Sequence, residues 1–206
     1  MNKAGTKGVA RADREQQIIG IAIEELGKRG HARASVVDIA RRAGISKPLI
    51  YGYFGSKDGL YLACLRHVGD LLVEAVDAAQ ARSGSADHAL DTLAAIFDAV
   101  GPCRYAWSVL YDPTLPPAGE IHDAAMHYRS RLAGIGASGS TQLLTHAGHR
   151  DPLDHAFLNH IWQYAVTAVM RWWIDHPEQS PADMTARCAR VLSALDPGNR
   201  LPITRS

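Results

Sequence analysis

The chain has only three cysteines in 206 residues, Cys64, Cys103 and Cys188, far apart and odd in number. With no Cys-x-x-Cys pair and no Cys/His zinc spacing, neither a disulfide framework nor a structural metal is supported. Long apolar runs are missing too. The longest, around Tyr164 to Met170, is far too short for a bilayer and ends at Arg171. The N-terminal stretch lacks the apolar segment of a signal peptide. We therefore expect a soluble, cytoplasmic protein without a membrane partner. Strand periodicity, internal repeats and low-complexity tracts are also absent. So are a Gly-x-Ser-x-Gly motif and a Gly-rich phosphate loop. Of ten histidines, only the pairs Asp123/His127, His146/His149 and Asp151/His155 share a helix face, and none brings a third ligand. No catalytic residue, metal or cofactor is expected, and the chain reads as a non-enzyme.

What is present is an uneven charge on a chain rich enough in apolar residues to build a core. Hydrophobic residues make up 47%, and the net charge is +1. Residues 1–60 carry eleven Lys/Arg against six Asp/Glu, leaving a deficit of positive charge in the remainder. A basic head on an acidic body suits a nucleic-acid reader with a second, non-DNA-binding part.

The organising stretch runs from Ser35 to Lys57. Ser35 and Asp38 have capping-box spacing, Ile39, Ala40 and Ala43 line one helix face, and Gly44 stops the helix. Ser46 caps a second helix, with Pro48 in the first turn, where a missing N–H does no harm. Gly55-Ser56 ends it after Leu49, Ile50, Tyr51, Tyr53 and Phe54. Ile50 and Phe54 take the buried positions, which turns Tyr51 outward. Two short helices joined by a glycine turn form a helix-turn-helix, whose second helix can enter the major groove.

The run Val37-Asp38-Ile39-Ala40, then Ala43-Gly44-Ile45-Ser46, then Leu49-Ile50-Tyr51-Gly52-Tyr53-Phe54-Gly55-Ser56-Lys57 closely resembles the DNA-binding domain of TetR-family (TetR/AcrR-type) bacterial transcriptional regulators. The resemblance covers about fifty residues, from Arg11 to Leu62. It implies an all-α protein of about nine to ten helices: a helix-turn-helix domain at 11–56 and a ligand-binding and dimerisation domain at 57–200. Residues 1–10 read as a disordered tail in which Lys3 and Lys7, with Arg11, form either a basic arm or a solvated end.

Before this stretch, Ile18, Ile19, Ala22, Ile23 and Leu26 recur at helical spacing, and the helix ends at Lys28-Arg29-Gly30. His31 stands where the family usually has an aromatic. After it, a long helix runs from Ser56 to about Ala81, with a break at Ser83-Gly84-Ser85. The family uses this helix to bridge its two domains. Helices then follow at Leu90–Phe97, Arg104–Tyr111 and Ile121–Leu132, the last closed by Gly134–Gly139, with a further short piece over Thr141–Ala147. Asp151-Pro152 and Ser180-Pro181 cap the last two helices. His176-Pro177 stops the first of these and Asp196-Pro197-Gly198 the second.

By motif position, Ser35 and Ser46 are expected to meet phosphates at helix N-termini. Tyr51, Tyr53 and Lys57 should also contact phosphates, with Arg41 and Arg42 near the backbone. Lys47, Pro48 and Leu49 start the recognition helix, Lys47 suited to guanine O6/N7 and Leu49 to a thymine methyl. Gly52 removes a side chain from that helix at a cost of roughly 1 kcal/mol, which leaves DNA shape to contribute to specificity.

Phe97, Trp107, Tyr111, Met126, Tyr128 and Trp162 read either as the lining of a mostly apolar effector cavity or as ordinary core. The resemblance implies dimerisation through the last two helices, with Val169, Trp172, Trp173, Met184, Cys188, Val191 and Leu192 as candidates. The function it implies is a homodimeric repressor that binds a palindromic double-stranded operator and is released by a small effector. The alternative is an architectural or scaffold DNA-binding protein on the same fold, without a ligand.

Overall fold

The structure, a computed structural model, describes residues 10–82 and 88–195. The basic tail with Lys3 and Lys7, the Ser83-Gly84-Ser85 break and the Asp196–Gly198 stop lie outside the described residues.

Among the described residues the chain is all-α. In order it forms α1 (Arg11–Arg33), α2 (Val36–Ala43), α3 (Lys47–Phe54), α4 (Lys57–Arg82), α5 (His88–Val100), α6 (Ala106–Leu110), α7 (Glu120–His146), α8 (Pro152–Asp175) and α9 (Pro181–Leu195). Four helix starts marked in the sequence are capped by side chains, whereas α1 and α6 have no side-chain cap. The Ser35 hydroxyl accepts from the Asp38 N–H at 3.2 Å and that of Ser46 from the Leu49 N–H at 3.3 Å. Asp151 accepts from the Leu153 N–H at 2.9 Å. Ser180 and Asp183 cap each other reciprocally. A cap of this kind stabilises its helix by roughly 1 kcal/mol. Gly44 ends α2 in the left-handed region, φ 67° and ψ 29°, which spares a side chain strain. In α1 the helical path breaks at Gly30, φ 73°, and resumes briefly to Arg33.

The expected break at Gly134–Gly139 does not occur. Helix α7 runs unbroken to His146 and absorbs the separate piece predicted over Thr141–Ala147. Glycine inside a helix costs only about 1 kcal/mol relative to alanine. At Gly136 a Cβ would stand 3.4 and 3.5 Å from Asn159 and Trp162 of α8, ordinary contact distances, so α7 packs closely there without requiring glycine.

By packing, the chain divides into two compact units. One comprises the described residues up to Asp70 together with Tyr105–Arg129; the other comprises Leu71–Arg104 with Ser130 onward.

In the first unit Ile18, Ala22, Leu26, Ile39, Ile50, Leu60, Tyr61, Leu65 and Val68 are essentially sealed from solvent. Each such aliphatic side chain contributes about 1.5–3 kcal/mol relative to exposure. Helix α6 packs on α1, where a Cβ at Gly27 would overlap the Tyr105 carbonyl. In the second unit α5 packs on α9. The Phe97 ring meets Trp173 edge-on at 5.2 Å, and the Arg104 guanidinium lies 4.9 Å over Trp173. Met170, Met184 and Cys188 are buried. Trp173, Met184 and Cys188, predicted at a dimer contact, thus sit inside the protomer's own core. Their helices place them on the inward face, whereas Val191 and Trp172 are exposed and Val169 and Leu192 half-buried.

Candidate nucleic-acid interface

Helix α3 is buried at one residue only, Ile50, the anchor that holds it on α2. Its first turn is open: Ser46, Lys47, Pro48 and Leu49 are all exposed, Leu49 at 43%. Phe54, predicted as a second buried anchor, is half-buried, and Tyr51, predicted outward, is half-buried as well. An eight-residue helix has little more than two turns, so Ile50 alone seats it. The aromatics share the margin.

The two tyrosines each hold a cation. Lys47 Nζ lies 5.3 Å from the Tyr51 ring centre, one turn on. The Arg11 guanidinium, from the start of α1, lies 5.3 Å from the Tyr53 ring centre. Such contacts stabilise by about 0.5–1 kcal/mol at exposed sites and hold a flexible side chain in place. The helix N-termini add positive potential: in α2 and α3 the serine hydroxyls accept backbone N–H bonds, leaving their own O–H free to donate.

The arginines of α2 are differently tied. Arg41 is mostly exposed and pairs with Asp38 at 2.7 Å. Arg42 reaches Glu24 of α1, which also bonds Lys28. Those hydrogen bonds, first from Lys28 and then from Arg42, hold the Glu24 carboxyl below its ordinary value. Lys57 donates to the Ala32 carbonyl at 3.3 Å, closing α4 onto the end of α1. Ser35, half-buried, donates its N–H toward Glu25 at 3.4 Å. Of the ten residues expected to meet DNA, Ser46, Lys47, Pro48, Leu49, Arg41 and Arg42 are exposed, and Ser35, Tyr51, Tyr53 and Lys57 are half-buried. All ten fall in the first unit.

Sequence reasoning missed a buried carboxylate in the same unit. Asp112, after α6, accepts from the His31 N–H at 2.6 Å, from the Tyr61 hydroxyl at 3.1 Å, and from the Thr114 N–H and hydroxyl at 2.7 Å each. Its only local signal was Asp-Pro-Thr, an ordinary turn pattern. Burial, and then Asp112, keep the Tyr61 hydroxyl protonated far above its usual range.

The six effector candidates do not collect in one unit. Phe97 and Trp162 belong to the second unit; Trp107, Tyr111, Met126 and Tyr128 belong to the first. Trp107 stacks on Tyr111 at 4.4 Å, with Arg129 5.4 Å from the Tyr111 ring centre. Tyr128 donates to Asp70 at 2.7 Å, and Met126 is 44% exposed. Among the described residues no group of three or more His, Cys, Asp or Glu side chains could hold a metal ion. No described helix is long and apolar enough to cross a membrane.

Fold and site together define an all-α helix-turn-helix protein with an open recognition helix. Residues 18–64 match the sequence model described as "Bacterial regulatory proteins, tetR family". A curated relative, the HTH-type transcriptional regulator BetI of Stenotrophomonas maltophilia, is 40% identical over 98 residues, covering 48% of this chain and 47% of the relative. The chain thus spans about half the length, or less, of the first curated relatives it matches. A TetR-like transcriptional regulator from Rhodococcus sp. RHA1 superposes with TM-score 0.68 at 28% identity, over 87% of this chain and 93% of that one. The transcriptional regulator FadR from Bacillus subtilis in complex with stearoyl-CoA superposes with TM-score 0.68 at 17% identity, over 90% and 99%, a likeness of fold. Residues 18–64 thus carry the sequence pattern of the tetR family's regulatory proteins, and the chain resembles TetR-like regulators in fold.

Proposed function

We propose that this protein regulates transcription as a homodimer that binds a palindromic operator and releases it when a small, mostly apolar molecule binds. The observation that carries the reading is the exposed start of α3, where Lys47, Pro48 and Leu49 stand free of the fold on a helix seated by Ile50. A helix so mounted enters a major groove, and a two-fold dimer reads two half-sites about one turn apart. The dimer is supported by an apolar stripe along α8, Leu153, Phe157, Ile161 and Tyr164, continued by Trp172 and by Val191 and Leu195 of α9, all exposed in the protomer. Such a stripe suits a second copy of the same surface. Effector release is supported by the FadR likeness, since a protein of this fold holds stearoyl-CoA. An effector favouring a DNA-incompetent state weakens operator binding by the same factor that the operator weakens effector binding.

The test is selection of bound sequences from random duplex DNA, with a Lys47→Ala, Leu49→Ala double variant alongside. Both residues are exposed, so the variant keeps its fold. An enriched palindrome that the variant fails to select supports the reading. Absence of enrichment, with equal weak binding by both proteins, overturns it.

A further inference from the structure

Most glycines of the first unit have a reason inside the protein. Gly30, Gly44 and Gly55 have positive φ, and a side chain at Gly27, Gly59 or Gly69 would overlap a neighbour. Gly20 and Gly52 do not: both are helical and exposed, and nothing lies within 4 Å of where a Cβ would stand. An exposed glycine in a helix interior is a stability loss that any alanine would recover. Gly52 carries that loss in a helix only eight residues long, where it is felt strongly.

Its surroundings suggest a use. Gly52 lies one turn after Pro48, so the two share a face of α3. That surface offers the flat Pro48 ring, with the exposed Leu49 side chain beside it three residues before Gly52, and a gap at Gly52 itself. On either side of Gly52 in sequence stand Tyr51 and Tyr53, the rings that hold Lys47 and Arg11. The result is a gap in the α3 surface at Gly52, a strip of backbone one residue wide between two aromatic-held cations. A duplex whose phosphates meet those cations brings its groove edge toward the strip.

We propose that Gly52 is the seating residue of the recognition helix: the missing side chain lets the groove edge rest on the α3 backbone between the Lys47 and Arg11 heads, and this clearance fixes how deep the helix sits. The inference rests on the operator-binding reading above. It predicts opposite signs for two measurements, which a merely structural glycine cannot produce.

The experiment compares wild type, Gly52→Ala, Gly52→Leu and Gly20→Ala by thermal unfolding and by fluorescence anisotropy. The probe is the duplex that wild type enriches from random DNA. Gly52→Ala and Gly20→Ala each raise the thermal midpoint by about 2–4 °C. Gly20→Ala leaves affinity unchanged, Gly52→Ala loses about tenfold, and Gly52→Leu loses more. Wild-type affinity in Gly52→Ala overturns the inference, as does a midpoint below wild type, which would assign the glycine to the fold. If wild type enriches no duplex, the operator reading falls and takes this inference with it. Enrichment by wild type with an unaffected Gly52→Ala leaves that reading standing and removes the inference alone.

Discussion

His31 donates its backbone N–H to Asp112 Oδ2 at 2.6 Å, across eighty-one residues of sequence. The donor sits just past the break in α1 at Gly30. There a side chain would meet Thr114 Oγ1 and the Asp112 carboxylate, at 2.7 and 3.1–3.3 Å. The acceptor is 4% exposed and serves Tyr61 and Thr114 as well. One carboxylate therefore ties the end of α1, the start of α4 and the segment after α6 into the first unit.

Replacing Asp112 by alanine strands these donors. A buried donor without a partner costs about 1–3 kcal/mol, so a total loss of about 2–4 kcal/mol is expected. The urea midpoint of Asp112→Ala at neutral pH measures it. Asp112→Asn, which keeps one acceptor oxygen, should lose less.

Gly69→Ala tests the packing of the same unit. A Cβ there would overlap the Tyr128 ring, whose hydroxyl is held by Asp70. Overpacking of this kind costs about 1–3 kcal/mol. Gly134→Ala is the control, since nothing lies near its Cβ position. Thermal unfolding should show Gly69→Ala below wild type and Gly134→Ala at or above it.

Alkaline pH should unfold the protein through Tyr61 and Tyr111. Burial keeps Tyr61 protonated well above its ordinary 10.0 and pushes Tyr111 up to about 12, against the opposing pull of Arg129. The unfolded chain ionises both near 10, so their stabilisation is fully present below that pH and is lost above it. The loss is at most about 1.4 kcal/mol per pH unit for each group. Urea midpoints between pH 8 and 11 should be flat to about 10 and then fall, less steeply in Tyr111→Phe.

A charge on the α8 stripe tests the dimer. Phe157 is 66% exposed, so Phe157→Glu leaves the protomer core intact. Sedimentation at micromolar concentration should give the monomer mass with unchanged helical content, where wild type gives the dimer. A dimeric variant would place the partner contact elsewhere.

The helix-turn-helix was legible because its signals are local. Ser35, Gly44, Ser46 and Gly55 act on backbone groups a few residues away, and all four sit where their chemistry says. The same logic located α8 and α9 through Asp151 and Ser180. It failed over α7, because glycine is a weak helix breaker and its neighbours Asn159 and Trp162 come from another helix. It failed at Asp112 because nothing in Asp-Pro-Thr announces His31 or Tyr61. Periodicity named Met184 and Cys188 as apolar positions on α9, but not whether the protomer or a second copy would cover them.

Besides Lys57, which is held by the Ala32 carbonyl, four basic side chains around α3 are held by two kinds of partner, and ionic strength tells these apart. Arg41 and Arg42 already have carboxylates, Asp38 and Glu24. Meeting a phosphate, they trade one anion for another and shed few condensed counterions. Lys47 and Arg11 rest on tyrosine faces and, among the described residues, show no carboxylate pairing, so each phosphate they meet releases its counterion. The slope of log affinity against log salt should therefore gain close to two ions per half-site from these four cations rather than four, at about 0.9 for each phosphate neutralised.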